Sequence, residues 1–131
     1  MKYLFDINVL LALAHQSHSD HHKAGLWFRS VTPVATEYCT CSITELGFIR
    51  VSVQAGLQPD IASAQKTLSA LKQSSKIPFR ILPDALDGSV MPRHVKSPPQ
   101  LTDGHLLELA RTFQASLVTL DKGIPGALLI N

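Results

Sequence analysis

The chain has only two cysteines, one tryptophan and no long apolar run, and each scarcity closes off a class of protein. Cys39 and Cys41 are separated by one residue, which matches neither a zinc-finger nor a dithiol redox spacing. On a strand such an i, i+2 pair points to one face, so both read as buried small hydrophobes. Free thiols fit a reducing compartment. No stretch approaches the roughly 20 apolar residues of a membrane span. The apolar N-terminal run is interrupted by Asp6 and Asn8, which leaves Val9–Ala14, shorter than the core of a signal peptide. The expectation is a cytoplasmic protein with no membrane contact. Charge of one sign is also missing: 12 basic residues face 10 acidic ones, a formal net charge of +2. Without a basic stripe, a polyanionic substrate must be held by local patches or by a bridging metal. There is no internal repeat and no low-complexity tract, and 131 residues leave room for one domain.

What remains is 45% hydrophobic and 17% charged, the composition of an ordinary globular core. Lys2–Phe5 reads as a short buried strand ending at Asp6. Val9–His15, rich in leucine and alanine, reads as a helix. A second helix carries Ala24, Trp27, Phe28 and Val31 at i, i+3, i+4, i+7 spacing and stops at Thr32-Pro33. Val34–Cys41 is β-rich, and a helix runs from Ser42 to about Gln54. Asp60 is placed to cap the next helix, whose apolar stripe is Ile61, Ala64, Leu68 and Leu71. Phe79–Leu82 is a further strand. Asp87–Gln100, with Gly88, Pro92, Pro98 and Pro99, is irregular with room for one short helix. A helix starting at Thr102 or Asp103 turns Leu106, Leu107, Ala110 and Phe113 inward. Ser116–Leu120 is a strand ending at Asp121, and Leu128–Ile130 is a short apolar tail. Strands alternating with helices predict an α/β fold, a parallel sheet between helical layers.

In such a sheet, ligands collect beyond the carboxyl ends of the strands. Asp6 and Asp121 each follow a strand, and Glu45 and Asp103 each open a helix that starts on the same edge. Four carboxylates from distant segments therefore have a route to one place. Gathered there they repel one another unless a cation intervenes, and Mg²⁺ or Mn²⁺ suits an all-oxygen donor set. A cation so held supports phosphodiester hydrolysis. Each acid also has a structural alternative. Glu45 lies three residues after Ser42, the spacing of a capping box. Asp103 favours a helix N-terminus through the macrodipole. Asp121 is able simply to start a turn. Asp6, closing an apolar strand before an apolar helix, is the hardest to explain without a use.

Around these acids the chain resembles the PIN-domain ribonucleases, and more narrowly the VapC-type toxins of toxin–antitoxin pairs. The matching segments are Leu4-Phe5-Asp6-Ile7-Asn8-Val9-Leu10, then Cys41-Ser42-Ile43-Thr44-Glu45-Leu46-Gly47-Phe48-Ile49-Arg50, then Leu101-Thr102-Asp103-Gly104-His105-Leu106-Leu107, then Leu117-Val118-Thr119-Leu120-Asp121. His18–Phe28 also looks like this group. The resemblance implies one PIN domain over residues 1–131, with a parallel sheet of four or five strands flanked by helices on both sides. It implies cleavage of RNA with Mg²⁺ or Mn²⁺, with Asp6, Glu45 and Asp103 as metal ligands and Asp121 completing the site. Asn8 and Thr119 match positions that support the acids. A VapB-like antitoxin partner and a homodimer are implied as well. Gly104 departs from the group, which more often has a larger or methyl-bearing residue there. A housekeeping RNA-processing nuclease and a non-catalytic module binding RNA or protein are the competing readings.

His18, His21 and His22 form an H-x-x-H-H run that has the residue type for zinc but no further ligand at a finger-like distance. A polar helix start is the simpler account. Arg93, His94 and Lys96 cluster in the irregular stretch before Asp103 and are candidate RNA contacts; the alternative is a solvated loop. Trp27 and Phe28 read as core.

Overall fold

The computed structural model describes residues 1–131. In chain order the elements are β1 (Lys2–Phe5), α1 (Ile7–Ala14), α2 (His21–Val31), β2 (Glu37–Thr40), α3 (Ser42–Gln54), α4 (Ile61–Ser74), β3 (Phe79–Ile81), α5 (Leu101–Thr112), β4 (Ser116–Thr119) and β5 (Leu128–Leu129), with a 3-10 turn at Pro98–Gln100 just before α5. The five strands form one sheet in the order β3-β2-β1-β4-β5, every pairing parallel. The α/β expectation holds, at the upper end of the four or five strands.

The central strand explains the layering. Parallel sheets are covered on both faces, so their inner strands are apolar throughout. Tyr3 and Phe5 of β1 face one way, into a cluster with Val9, Leu10, Tyr38, Phe48 and Val118. Leu4 faces the other way, with Cys39, Cys41, Leu117, Leu106 and Leu109. Helices α1, α3 and α4 pack with the first cluster and α5 with the second, which puts helices on both sides. Aromatic rings fill the first face: Phe28 stacks on Tyr38 at 4.7 Å between centroids, and Trp27 meets the edge of Tyr3 at 5.3 Å. Trp27 and Phe28, read as core, are partly buried and pack against it. Both cysteines are buried, free and on one face.

Several boundaries move for identifiable reasons. Helix α1 begins at Ile7 rather than Val9, because Asp6 caps it directly: its Oδ1 accepts from the Ile7 N–H at 2.8 Å. Strand β2 is shorter than Val34–Cys41. Val34 and Ala35 still bond back to the Val31 carbonyl, and Cys41 already serves as the N-cap of α3. Asp60 caps α4 as expected, accepting from the Ser63 N–H, but Ile61 is 60% exposed and falls outside the buried stripe of Ala64 and Leu68. The tail forms a two-residue edge strand, pairing Leu128 with Val118.

Two features of this frame place the candidate site. The chain runs outward from β1 to β2 and β3 on one side and to β4 and β5 on the other, so β1 and β4 are neighbours at the switch point of the sheet. A crevice beyond their carboxyl ends is where ligands bind in open α/β sheets. In addition, Gly47 lets α3 approach the start of α1 closely, since a Cβ there would meet the Ile7 side chain. No helix is long and apolar enough to cross a membrane.

Candidate metal centre

Asp6 is the hub. It ends β1, caps α1 and is 6% exposed. Burial of a carboxylate costs free energy unless donors replace water. Two do: Ile7 N–H on Oδ1, and the Thr119 hydroxyl on Oδ2 at 2.7 Å. Thr119 ends β4 and is fully buried. Having given its proton to Asp6, its oxygen accepts from Asn8 Nδ2 at 3.3 Å and from the Asp121 N–H at 3.0 Å. Asn8 Oδ1 in turn accepts from the Leu120 N–H at 3.1 Å. One hydroxyl and one amide therefore stitch the β1–α1 junction to the β4–Asp121 junction. This network includes both residues, Asn8 and Thr119, read as supports for the acids.

Asp121 follows this junction. Its Oδ1 accepts from the Gly123 N–H at 2.8 Å, so the turn reading is correct for one oxygen, while Oδ2 has no donor. Asp103 lies in the first turn of α5, where the helix dipole favours an anion, and its carboxylate receives no hydrogen bond. Both Asp6 and Asp103 have carboxyls pushed above the ordinary range. For Asp6 the main cause is burial, opposed by its hydrogen bonds from Thr119 and Ile7 and reinforced by the charge of Asp121. For Asp103 it is burial, then the charges of Asp6 and Asp121, with His94 pulling the other way. The three aspartates thus stand in one another's field.

Glu45 has partners of its own at the same sheet edge, where Thr40 ends β2 beside the end of β1. Its Oε2 accepts from Lys72 Nζ at 2.8 Å and from the Thr40 hydroxyl. The capping-box alternative for Glu45 also fails. Cys41 is the N-cap, and the residue three on that closes the turn is Thr44, whose Oγ1 accepts from the Cys41 N–H at 3.0 Å. Glu45 is one position too late to cap, so its place is set by Lys72 and Thr40. Lys72 was not legible in the sequence as a member of this neighbourhood: it sits in the last turn of α4, and only the packing of α3 on α4 brings it to Glu45.

The distribution of ion pairs shows what the three aspartates lack. The five pairs in the protein use Asp20, Glu37, Glu45, Asp84 and Glu108. Asp60 and Asp87 accept from nearby N–H groups at a helix start and a turn. Asp6, Asp103 and Asp121 form no ion pair, although they are the acids that repel each other; only His94 acts on Asp103 with the opposite sign. No three of the metal-ligating side chains converge tightly enough to form a ready-made ligand group. The donor chemistry nevertheless fits a hard divalent cation: all oxygen, mutually repelling, with open lone pairs on Asp103 and on Asp121 Oδ2.

The other candidates fall elsewhere. The H-x-x-H-H run does not form a metal group. His21 Nδ1 bonds to the Ala12 carbonyl at 2.7 Å and His18 Nδ1 accepts from the Asp20 N–H at 3.0 Å, so both fasten the α1–α2 connection. Of the loop residues Arg93, His94 and Lys96, the structure places His94 close enough to Asp103 to act on its charge.

Comparison with known proteins adds the following. No family model matches the chain. Ribonuclease VapC38 of Mycobacterium tuberculosis is 37% identical over 124 residues, covering 92% of this chain and 86% of that protein. Among solved structures, VapC20 of Mycobacterium tuberculosis, described as a sarcin-ricin loop cleaving toxin, superposes with a TM-score of 0.65 at 12% identity. It covers 93% of this chain and 92% of its own. A toxin–antitoxin complex from Klebsiella pneumoniae gives a TM-score of 0.58 at 19% identity, covering 98% of both chains. At these identities the two structures speak for the fold.

Proposed function

The chain belongs to the VapC ribonucleases, and from that footing we propose that it is a divalent-metal-dependent endoribonuclease, the toxin of a toxin–antitoxin pair. The observation that carries the metal dependence is the group of three mutually repelling aspartates with no ion-pair partner at the β1–β4 switch point. Asp6, Asp103 and Asp121 would hold the ion, with Glu45 as the fourth acid at the rim, kept in place by Lys72 and Thr40. When bound, Mg²⁺ or Mn²⁺ supplies polarisation of a phosphoryl oxygen and eases deprotonation of the attacking water.

The protein's own part is positioning and electrostatics. Thr119 orients Asp6 through Oδ2, and Asn8 holds Thr119 in turn, so the central carboxylate does not need to reorganise as charge develops. Ile7 N–H and the α1 dipole favour the ionised form of Asp6 and oppose part of the effect of its burial. Arg93, His94 and Lys96 are the groups that offset the negative charge of an incoming phosphate backbone. The partners that follow are an RNA substrate and a VapB-like antitoxin, in the cytoplasm, with the toxin as a homodimer.

The test is direct. Purified protein incubated with RNA should cut it in Mn²⁺ or Mg²⁺ and stop in EDTA, and Asp6→Ala should abolish cutting. An Asp6→Ala protein that cuts as fast as its parent refutes the assignment. Cleavage undiminished in EDTA refutes the metal.

A further inference from the structure

Between β3 and α5 the chain runs through about twenty residues with one 3-10 turn and no other regular element. Yet it is fastened to the body. Asp84 pairs with His105 Nε2 on the first turns of α5. The Lys96 and Ser97 N–H groups both donate to Gln100 Oε1, at 2.7 and 3.1 Å. The closest approach is at Gly104. A Cβ added there would lie 2.5 Å from Val95 Cγ2, 2.7 Å from Met91 Sδ and 3.3 Å from Pro92 Cδ. Real Cβ atoms do not make such contacts, so the loop occupies the volume that a side chain at this position would take. Gly104 also sits in the middle of the first half of a helix, where glycine costs about 1 kcal/mol relative to alanine. Something has to offset that cost, and the docked loop does.

The location gives the docking a use. Gly104 is next to Asp103, so whatever settles on it settles beside one of the three aspartates. The docked segment carries Arg93 and His94, with Lys96 one residue beyond, and none of the three has an ion-pair partner. We propose that Gly104 is the seat of a basic strap: its missing side chain lets Met91–Val95 rest on the first turn of α5 and holds Arg93, His94 and Lys96 near Asp103 to grip the RNA phosphates. Gly104 is thus a positioning residue that sets RNA affinity and leaves the chemical step alone. The strap's role rests on the nuclease reading above; its seating on Gly104 does not.

Gly104→Ala puts a methyl where Val95 now lies and lifts the strap. Trypsin cleavage after Arg93 and Lys96 should accelerate at least about fivefold, because a bound protease needs the segment extended and free. The KM for RNA should rise about tenfold while kcat and Mn²⁺ affinity stay within about twofold. Val95→Ala added to Gly104→Ala removes the clashing methyl and should restore both tryptic protection and KM. Met91 Sδ, at the end of a flexible side chain, moves aside without help. Should Gly104→Ala fail to fold, Val95→Asn unseats the strap from the loop side with α5 untouched and should give the same KM rise. RNA binding is also read by fluorescence anisotropy with a labelled single-stranded oligonucleotide in an Asp6→Asn background. A parent that binds RNA in this way but never cuts overturns the nuclease reading and leaves the strap standing. Unchanged proteolysis and affinity in Gly104→Ala, a fall in kcat with KM unchanged, or a double variant that restores neither property each overturn the strap.

Discussion

Thr119→Val keeps the shape of a fully buried side chain and deletes one hydroxyl. That hydroxyl donates to Asp6 Oδ2 and accepts from Asn8 and from the Asp121 N–H. A hydrogen bond to a charged group is worth roughly 1.5–3 kcal/mol, and the two orphaned donors lie near enough to solvent for water to repair them in part. The expected loss is about 2 kcal/mol at pH 7.5 without metal. Unfolding entropy of about 2.1 cal/mol/K per residue, over 131 residues, converts this to a fall in Tm of about 7 °C. The loss also has a pH signature. The Thr119 bond is one of the terms holding the Asp6 carboxyl down against burial. With it gone, that carboxyl rises further, and the folded state is penalised most where Asp6 is ionised. The gap between parent and variant should therefore narrow as pH falls, because protonation of Asp6 leaves only a neutral hydrogen bond missing. Thr119→Ser, which restores the hydroxyl and loses a methyl, should regain the parent's pH dependence. Melting in EDTA across pH 4–8 reads all of this. A valine variant within about 2 °C of the parent at pH 7.5, or a gap that does not change with pH, would show that Asp6 does not depend on this donor.

Other consequences follow from the same electrostatics. Asp103 is raised by burial and by Asp6 and Asp121, so the folded chain binds its proton more tightly than the unfolded chain does. Its stabilising contribution is full below the ordinary carboxylate range and is lost as pH rises through the raised value. Asp103→Asn should accordingly melt about 2–4 °C above the parent in EDTA at pH 7.5, with no advantage near pH 4, while losing RNA cleavage and the gain in Tm from Mn²⁺. An asparagine variant less stable than the parent at pH 7.5 would mean that Asp103 is held by partners rather than strained by neighbours. Lys72→Met keeps the apolar stem and removes the charge on Glu45; a half-buried pair of this kind should cost about 1 kcal/mol, or about 4 °C. It should also tighten Mn²⁺ binding severalfold in calorimetry, because Glu45 is released to the cation; unchanged affinity would restrict Glu45 and Lys72 to a structural role.

Most of the layered fold was readable from local pattern, because parallel strands buried on both faces must be short continuous apolar runs and covering helices must be amphipathic. Lys2–Phe5 and the strand read at Ser116–Leu120, which ends one residue earlier at Thr119, were legible for that reason, and Asp60 as a cap because a side-chain acceptor at that spacing has one obvious donor. Boundaries were less legible where two elements compete for a residue. Cys41 looks like strand by its neighbours but becomes the cap of α3, since Thr44 offers its N–H a partner that the sheet does not.

The sequence by itself determined which acids end strands or open helices on the binding edge, because strand polarity and helix starts are local properties. The resemblance to the PIN-domain ribonucleases named Asn8 and Thr119 as supports, and the fold brings Thr119 into contact with Asp6 and Asn8 into contact with Thr119. Only the tertiary structure decided how the four acids divide. Asp6, Asp103 and Asp121 share a field with no ion pair among them, while Glu45 is paired with a lysine on a helix that packs against its own. The same holds for Gly104, a weak helix residue in the sequence that becomes a seat once a loop lies on it. Charge repulsion and steric exclusion act through space at a few ångströms, and no spacing along the chain encodes which side chains will be that close.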